Sequence, residues 1–316
     1  MRLLNPITGV QIQLPPITTL PFIDAVCDSQ GRITKYIILN DLVIPLTAGK
    51  FQKNNIKMEK NVAEMRHYFF LKAILSSAPS THGGGDFVVM MIHGPGRRLA
   101  FMRAGDKAWT PLRSPCGITD VVVCGRSFYT SSWTGQVFAW DIDGFTDIRR
   151  HVDPMESDGF SFMPRLFSIS KKYYQTLYLI NTLEGRFFLI QKQNVDDIAT
   201  YYYPDEPEFW RHYKDELKLL SIHPKTRKWS LVKDVKDDVL FVGNNHSMSV
   251  SAAEFPELRR NSIYFTDHNI GFSSITRQYS PEIGVFDMKN KYAKPLDSLG
   301  PHLYWPPPIW ITPVMF

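Results

Sequence analysis

The chain is poor in cysteine, in long apolar runs and in charge of one sign, and each shortage argues against a class of protein. Its three cysteines form no C-x-x-C pair, which argues against a secreted disulfide framework and against a zinc site. Apolar runs such as Phe87–Ile92 have the length of a buried strand and are too short to cross a bilayer. No charged-then-apolar leader opens the chain. The sequence therefore predicts a protein of the cytoplasm or nucleus with no membrane partner.

Basic residues exceed acidic residues by only five, and they are scattered in pairs: Arg97-Arg98, Arg149-Arg150 and Arg259-Arg260. A nucleic-acid-binding surface gathers its basic residues in one stripe, so no nucleic-acid partner is expected. Hydrophobic residues make up 44% of the chain and charged residues 21%. This balance supplies a substantial core and argues against disorder.

One short pattern recurs along the chain: an apolar strand that ends in a polar residue, a tight turn, and a second strand with an aromatic or apolar anchor. Five segments follow this pattern: Arg2–Leu14, Leu99–Leu112, Val137–Ile148, Leu219–Val232 and Ile283–Leu296. Hairpins of one design repeated in this way are typical of propeller blades.

The sequence therefore predicts an all-β fold, a β-propeller of four-stranded antiparallel blades in a single domain over residues 1–316. The N-terminal blade is incomplete, because only its outer hairpin is present. The expected parts are a partial first blade at 1–16, blades at about 68–113, 117–152, 165–234 and 235–297, and a closing strand at about 308–313. The blade at 117–152 is the clearest, because its four β-rich segments are separated by glycine-containing turns.

The segments between the blades give weaker patterns. The polar stretch Val26–Asn61 is interpreted as a long excursion between blades, and the long segments 16–68 and 150–216 leave room for a further blade. Lys60–Tyr68 is expected to form one or two helical turns, and Phe255–Leu258 a single turn. Three alternatives stay open: Ile309–Ile311 completes the first blade, sequence upstream of residue 1 is missing, or both hold.

Several motifs resemble the plant F-box-associated β-propeller family of the Kib type. They occur in the family's order over nearly the whole chain: Leu4-Asn-Pro-Ile-Thr-Gly9, Leu71-Lys-Ala-Ile-Leu-Ser-Ser77, Val242-Gly-Asn-Asn-His-Ser-Met-Ser-Val250, Phe255-Pro-Glu-Leu258, Asn261-Ser-Ile-Tyr-Phe-Thr-Asp267, Ile283-Gly-Val-Phe-Asp287 and Pro308-Ile-Trp-Ile-Thr-Pro313.

Members of that family commonly carry an N-terminal F-box, which docks on the Skp-type subunit of a cullin ubiquitin ligase, while the propeller presents the substrate. The resemblance thus implies a protein-binding, non-enzymatic role, like that of a ubiquitin-ligase adaptor. The chain begins at the Leu4-Asn-Pro hairpin, so an F-box is expected to be absent, and a Skp-type subunit is not expected as a partner.

Three polar motifs are candidates for chemistry, and each has a simpler interpretation. His93–Arg98 lacks the Lys-Ser/Thr ending of a phosphate loop, and Asp141–Gly144 with Asp147 lacks the ligand spacing of a calcium loop. His246 near Asp267 suggests acid–base work, but no G-x-S-x-G motif or third partner accompanies it. The side chains of Asn244–Ser247 are expected to bond to the backbone at a blade entry. No catalytic, cofactor-binding or metal-binding residue is predicted.

The predicted partner-binding surface is an insertion from roughly Val195 to Asp215. It mixes aromatic and acidic residues, as protein-binding loops on rigid scaffolds often do. The aromatic candidates are Tyr201, Tyr202, Tyr203, Phe209 and Trp210. Folding of this loop back onto its own blade is an equal alternative.

Pro306–Pro308 is interpreted as a rigid lead-in to the closing strand rather than a polyproline ligand.

Three aromatic residues, Trp109, Trp229 and Tyr292, occupy matching positions in three hairpins. Packing between blades is favoured over an aromatic binding rim, because large aromatics repeated at one blade position normally fill the core. On this interpretation Trp229→Ala costs about 3–5 kcal/mol of stability.

Two alternatives to a protein-binding propeller stay open. An enzyme or sugar-binding propeller would need carboxylates, histidines or metal ligands on the innermost strands, where Phe87–Ile92 and Val121–Val123 are apolar. A truncated, non-functional paralogue is the other alternative.

Overall fold

A computed structural model describes residues 1–5, 8–45, 51–79, 85–94, 96–114, 117–132, 135–144, 148–152, 172–182, 185–196, 216–222, 228–243, 245–266, 283–296 and 310. These residues form twenty-two strands, one α-helix and one short 3-10 helix. The chain divides into two compact units. One comprises Met1–Phe128 with Trp140–Asp147, and the other comprises Tyr129–Ala139 with Ile148–Phe316.

The first predicted hairpin is present. Strands β1 (Arg2–Leu4) and β2 (Gln11–Gln13) pair antiparallel. The Asn5 side chain accepts the backbone N–H of Thr8 at 3.1 Å, and the N–H of Gly9 donates to the carbonyl of Asn5 at 2.9 Å. Gly9 has a φ of +72°, a conformation that favours glycine in such a turn.

The predicted excursion over Val26–Asn61 was wrong, because this region forms a three-stranded antiparallel sheet in the order β3-β4-β5. It follows a 3-10 turn at Ile17–Thr19, and its strands are β3 (Ile23–Cys27), β4 (Ile33–Pro45) and β5 (Phe51–Asn61). The apolar residues of β4 do not share one environment: Ile38 is buried, whereas Ile33 and Leu39 are exposed.

The helical turns predicted over Lys60–Tyr68 are confirmed by α1 (Val62–Tyr68). A capping box begins this helix: the Asn61 side chain accepts the N–H of Glu64, and the Glu64 side chain accepts the N–H of Asn61, both at 2.9 Å. These two bonds satisfy backbone donors that the first helical turn leaves free. The helix buries Met65 and leads directly into the buried Phe69.

The next two sheets contain the strands that the sequence predicts, each in chain order from first to last. One comprises β6 (Phe70–Leu75), β7 (Val88–His93), β8 (Arg98–Arg103) and β9 (Thr110–Pro111). The other comprises β10 (Ile118–Cys124), β11 (Ser127–Ser132), β12 (Val137–Asp141) and β13 (Ile148–Val152). Every residue of β7 is buried, as its unbroken apolar run predicts.

A third four-stranded sheet also keeps chain order. Its strands are β14 (Lys172–Asn181), β15 (Phe187–Asp196), β16 (Glu216–Ile222) and β17 (Trp229–Val232). Neighbouring strands pair antiparallel throughout, so this sheet has the four-stranded blade pattern that the sequence predicts.

The last sheet departs from that pattern, because it has five strands in the order β19-β18-β20-β21-β22. Its strands are β18 (Asp238–Val242), β19 (Met248–Ser251), β20 (Ser262–Thr266), β21 (Ile283–Asp287) and β22 (Tyr292–Pro295). β18 pairs parallel with β20, while the other pairs are antiparallel. The connection between β19 and β20 contains the predicted turn at Phe255–Leu258, closed by a bond from the Leu258 N–H to the Phe255 carbonyl at 3.0 Å.

Each unit has its own apolar core. In the first unit the core joins the N-terminal segment, the β3–β5 sheet and the β6–β9 sheet, and it includes Leu20, Ile38, Phe69, Met91 and Trp109. In the second unit the core joins the β14–β17 sheet to the last sheet, and it includes Tyr178, Ile190, Leu219, Leu240 and Phe286.

A polar residue at the end of a strand has the same role in four turns, three of which belong to the repeated hairpins. Its side chain accepts the backbone N–H of a residue two or three positions further on. This bond is made by Asn5, by Asp28 to Gln30 (2.9 Å), by Asp141 to Asp143 (3.0 Å) and by Asp287 to Lys289 (2.8 Å). Such local bonds are the reason that Asp and Asn favour turns.

Asp287 is the most deeply buried of these residues. Burial alone would raise the pKa of its carboxyl, but hydrogen bonds from Asn290 and Lys289 and the nearby positive charge of Arg259 outweigh burial and lower the pKa. The carboxylate is therefore ionised and fully bonded within the turn.

The three aromatic residues at matching hairpin positions differ in burial. Trp109 is 2% exposed, and its indole N–H donates to the Pro15 carbonyl at 3.0 Å. Trp229 is half-buried, and its indole N–H donates to the Gly135 carbonyl at 2.8 Å. Tyr292 is 38% exposed. The packing interpretation is thus confirmed for Trp109 and is wrong for Tyr292, which lies on the terminal strand β22.

We therefore expect Trp109→Ala to cost about 3–5 kcal/mol of unfolding free energy, because it empties a buried site. Trp229→Ala should cost only about 1–3 kcal/mol, since the side chain is half-exposed and loses one hydrogen bond. Tyr292→Ala is the matched control and should cost less than about 1 kcal/mol. Urea unfolding of the three variants gives these values, and equal losses for Trp109 and Tyr292 would contradict the assignment.

Candidate functional site

A buried ion pair joins the first strands of two neighbouring sheets. Lys72 lies on β6 and Asp120 on β10, and the lysine Nζ is 2.5 Å from the aspartate Oδ1. Their side chains are 5% and 3% exposed. The same Asp120 oxygen accepts the backbone N–H of Val121 at 2.7 Å. The two opposite charges thus compensate each other where water is excluded.

Sequence reasoning missed this pair, because each residue is a single charge within an otherwise apolar strand. Two lone charges of opposite sign on separate buried strands were the available signal. The enzyme alternative requires polar groups on the innermost strands, and Asp120 directly precedes Val121–Val123, which belong to one candidate for such a strand. Here the lysine and the carboxylate bind each other, and in the described part of the chain no three His, Cys, Asp or Glu side chains gather as a metal site would require.

We expect Asp120→Ala to destabilise the fold by about 3–5 kcal/mol, because it leaves the buried Lys72 charge without its counter-charge. The double variant Lys72→Met/Asp120→Leu should recover most of that loss, since an apolar pair removes both charges. Urea unfolding of the two variants and of the unchanged chain measures both effects. A loss below about 1 kcal/mol in Asp120→Ala would show that the ion pair does not stabilise the native state.

His93, the first residue of the glycine-rich turn, is enclosed by aromatic rings. Its imidazole stacks on Phe22 and Phe69, with ring centroids 5.4 and 5.2 Å away. Within the described residues neither ring nitrogen has a hydrogen-bond partner. Burial lowers the pKa of His93 to about 4; a smaller effect of the Leu99 backbone opposes this, and the charge of Arg98 adds to it. The imidazole is therefore neutral at pH 7, and this motif has no exposed histidine.

The pKa of His93 is lower in the folded state than in the unfolded chain. Its contribution to the free energy of unfolding is therefore fully present above pH 6.5 and is lost as the pH falls toward 4. The total loss from this residue is about 3 kcal/mol. His93→Phe removes the titrating group and keeps the ring stack. Unfolding free energies at about pH 7.5 and about pH 4.5 should show a smaller acid loss in the variant. Parallel pH profiles would rule out His93 as the cause.

The Asn244–Ser247 motif bonds to the backbone, as predicted, through Asn245. Its amide nitrogen donates to the Trp310 carbonyl at 2.6 Å, and its oxygen accepts the Trp310 N–H at 3.1 Å. Asn244 and Asp267 lie outside the described residues. The described geometry thus gives this motif a structural role: the Asn245 side chain bonds to both the N–H and the C=O of Trp310, as the backbone of a neighbouring strand would.

Trp310 belongs to the predicted closing strand, most of which lies outside the described residues. Its indole N–H donates to the Val242 carbonyl at 2.7 Å, and its ring packs edge-on against Phe241 at 5.0 Å. A Cβ on Gly243 would approach Thr266 Oγ1 to 2.5 Å and the Trp310 ring to 3.0 Å. Glycine at 243 therefore permits the close approach of Trp310 to the end of β18.

The predicted partner-binding residues Tyr201, Tyr202, Tyr203, Phe209 and Trp210 all lie outside the described residues. The strands that bear their segment are described. β14 and β15 pair as far as Lys172↔Asp196, whereas β16 begins at Glu216 opposite Gln193. Hence β14 and β15 extend about three residues beyond β16, and residues 197–215 connect from the end of this two-stranded extension.

Comparison with protein families identifies the class of this chain. The family described as KIB1-4 beta-propeller matches residues 1–287. This match covers most of the chain, so the chain belongs to that family, and its fold class is the β-propeller. The predicted fold class and the predicted resemblance are both confirmed.

Relatives in Arabidopsis thaliana are named F-box proteins. The chain is 22% identical over 313 residues to F-box protein SKIP23, an alignment that covers 95% of this chain and 72% of that protein. It is 22% identical over 246 residues to Putative F-box protein At5g55150, which covers 77% of this chain and 60% of the relative. The chain thus corresponds to a part of these longer proteins.

Among solved structures, the crystal structure of HIRA(644-1017) is 14% identical, and the alignment covers 66% of this chain and 54% of that chain with a TM-score of 0.23. Similarity at this level carries no argument about fold or function. Among the helices of the described residues, none has the length and apolar character needed to span a bilayer.

Proposed function

We propose that this chain is a non-enzymatic propeller that recognises a protein, in the manner of the substrate-recognition part of a plant F-box protein. Membership of the KIB1-4 beta-propeller family, with relatives named F-box proteins, is the observation that carries the proposal. The partner is a protein of the cytoplasm or nucleus, and the proposal does not include a Skp-type subunit.

The described geometry supports binding rather than catalysis. The polar side chains on the first strands β6 and β10 neutralise each other. His93 is enclosed by Phe22 and Phe69, and its lowered pKa leaves it neutral. Asn245 bonds to the Trp310 backbone. The Lys72–Asp120 pair, His93 and Asn245 thus have structural uses, while Asp267 lies outside the described residues.

The insertion at 197–215 is the proposed recognition surface. In the chain it links β15 to β16, which are neighbouring strands of a four-stranded sheet, and a sheet of this kind is a rigid base for a binding loop. Its aromatic residues supply the large, low-entropy contact area that dominates protein interfaces.

The test is quantitative co-purification of partner proteins from plant-cell extract with the tagged full chain. Two variants remove the aromatic candidates: the triple Ala variant of residues 201–203, and Phe209→Ala/Trp210→Ala. Leu231→Ala is the matched control, because Leu231 is an exposed apolar residue on the terminal strand β17. We expect specific partners to fall by about tenfold or more in the aromatic variants, with unchanged unfolding midpoints.

Two results would reject the proposal. The first is that no protein is enriched by the chain over an unrelated propeller. The second is that the chain binds glycans on an array, while the aromatic variants co-purify every protein partner in the same amount as the unchanged chain. This second result would support the sugar-binding alternative.

A further inference from the structure

The longest free sheet edge in the described residues belongs to β5. This eleven-residue strand pairs with β4 at every position, from Lys35↔Asn61 to Pro45↔Phe51. It ends the sheet order β3-β4-β5, and across the described ranges no strand pairs with its other edge. Alternate residues of such a strand direct their N–H and C=O groups away from the sheet, so about five residues offer unpaired backbone groups.

The other terminal strands do not offer a comparable edge. The outer strands β9, β13, β17 and β22 span two to five residues each. The longer terminal strands lie beside a strand of another sheet: β6 beside β10, and β14 beside β18 and β19. Helix α1 begins directly after Asn61, the last residue of β5, and contacts both β4 and β5. β5 is therefore the edge best suited to accept an added strand.

Part of the β5 ladder has only two strands, and this favours an added one. β3 pairs with β4 only between Ile23↔Ile38 and Cys27↔Ile33. Beyond Ile38, β4 and β5 continue as a two-stranded ribbon to Pro45↔Phe51. Two-stranded ribbons are marginal in water, and a third strand stabilises them. Pro45 lacks an N–H, so the β5 side is the better edge for this third strand.

The charge of β5 indicates which kind of strand its free edge would bind. It contains three lysines, Lys53, Lys57 and Lys60, and one acidic residue, Glu59, which gives a formal charge of +2. Glu59 already pairs with Lys35 of β4 at 2.7 Å, and Lys60 pairs with Glu64 of α1 at 3.4 Å. Two copies of β5 would bring together two strands that each carry a formal charge of +2, which is unfavourable. An acidic strand gains from the same charges.

We propose that the free edge of β5 binds an extended acidic segment of a protein partner by strand addition. Main-chain hydrogen bonds would supply affinity, and the lysines would supply selectivity and a faster encounter. This inference rests on the proposed function only in that the occupant is a protein. It names the chemistry of that partner: an extended segment in which acidic residues alternate with β-branched ones.

The test uses the full chain and three fluorescent ten-residue peptides. The first alternates Glu with Thr and Val, the second has Lys in place of Glu, and the third is the Glu peptide with alternate backbone amides N-methylated. We expect the Glu peptide to bind about tenfold or more tightly than the Lys peptide in anisotropy titrations at low salt. It should also slow hydrogen exchange at alternate amides of residues 51–61. The N-methylated peptide should bind at least about tenfold more weakly, since it lacks the ladder donors.

Two charge variants complete the design. Lys53→Glu/Lys57→Glu should reverse the preference between the Glu and Lys peptides. Lys233→Glu/Lys236→Glu makes the same change in charge at exposed lysines of the other unit and should leave binding unchanged.

The proposal is overturned if the Glu and Lys peptides bind equally, or if the Glu peptide does not slow hydrogen exchange in β5. It is also overturned if Lys53→Glu/Lys57→Glu and Lys233→Glu/Lys236→Glu change the peptide preference to the same extent. A dimer whose β5 amides are protected without peptide would assign the edge to a second copy instead. Partners lost on changing residues 201–203 but retained by Lys53→Glu/Lys57→Glu would overturn this inference and leave the proposed function standing. Peptide binding by a chain that enriches no protein would reject the proposed function alone.

Discussion

In four turns the side-chain oxygen of a strand-ending Asp or Asn accepts a backbone N–H of its own turn, and the pairing of the strands that these turns join depends on this constraint. Asn5, Asp28, Asp141 and Asp287 each fix the length of a turn in this way. The length of the turn sets which residues face each other in the two strands. Because side chains alternate between faces, a slip of one residue would expose the buried face of a whole strand. The turn bonds therefore protect the cores as well as the loops.

Local patterns in the sequence predicted the elements that depend on local chemistry. The strands β10 to β13 were predictable because runs rich in β-branched residues alternate with turns such as Gly125 and Asp143-Gly144. The strands β4 and β5 were not, because their polar residues resemble those of a loop. The parallel pairing of β18 with β20 also escaped prediction, since no hairpin turn joins those strands and packing decides their order.

The candidate sites also combine features that the local sequence predicts with features that depend on long-range contacts. The residue type and position of Asn245 indicated a bond to the backbone, and that bond is present. Its partner, Trp310, lies 65 residues away, and no local signal connects the two. Lys72 and Asp120 are 48 residues apart, so only the fold shows that two isolated charges form one pair. For His93, the sequence indicated a turn, while the enclosing rings of Phe22 and Phe69 depend on tertiary packing.

The tryptophan bonds have a consequence for the order in which this chain folds. The indole of Trp109 bonds to a carbonyl 94 residues away, that of Trp229 to another 94 residues away, and that of Trp310 to one 68 residues away. Closing loops of this length costs entropy before any contact repays it, whereas hairpins close quickly. The indoles therefore reach their native surroundings after the local strands have paired. Intrinsic fluorescence records the late joining of distant segments, and far-ultraviolet dichroism records the earlier formation of the hairpins.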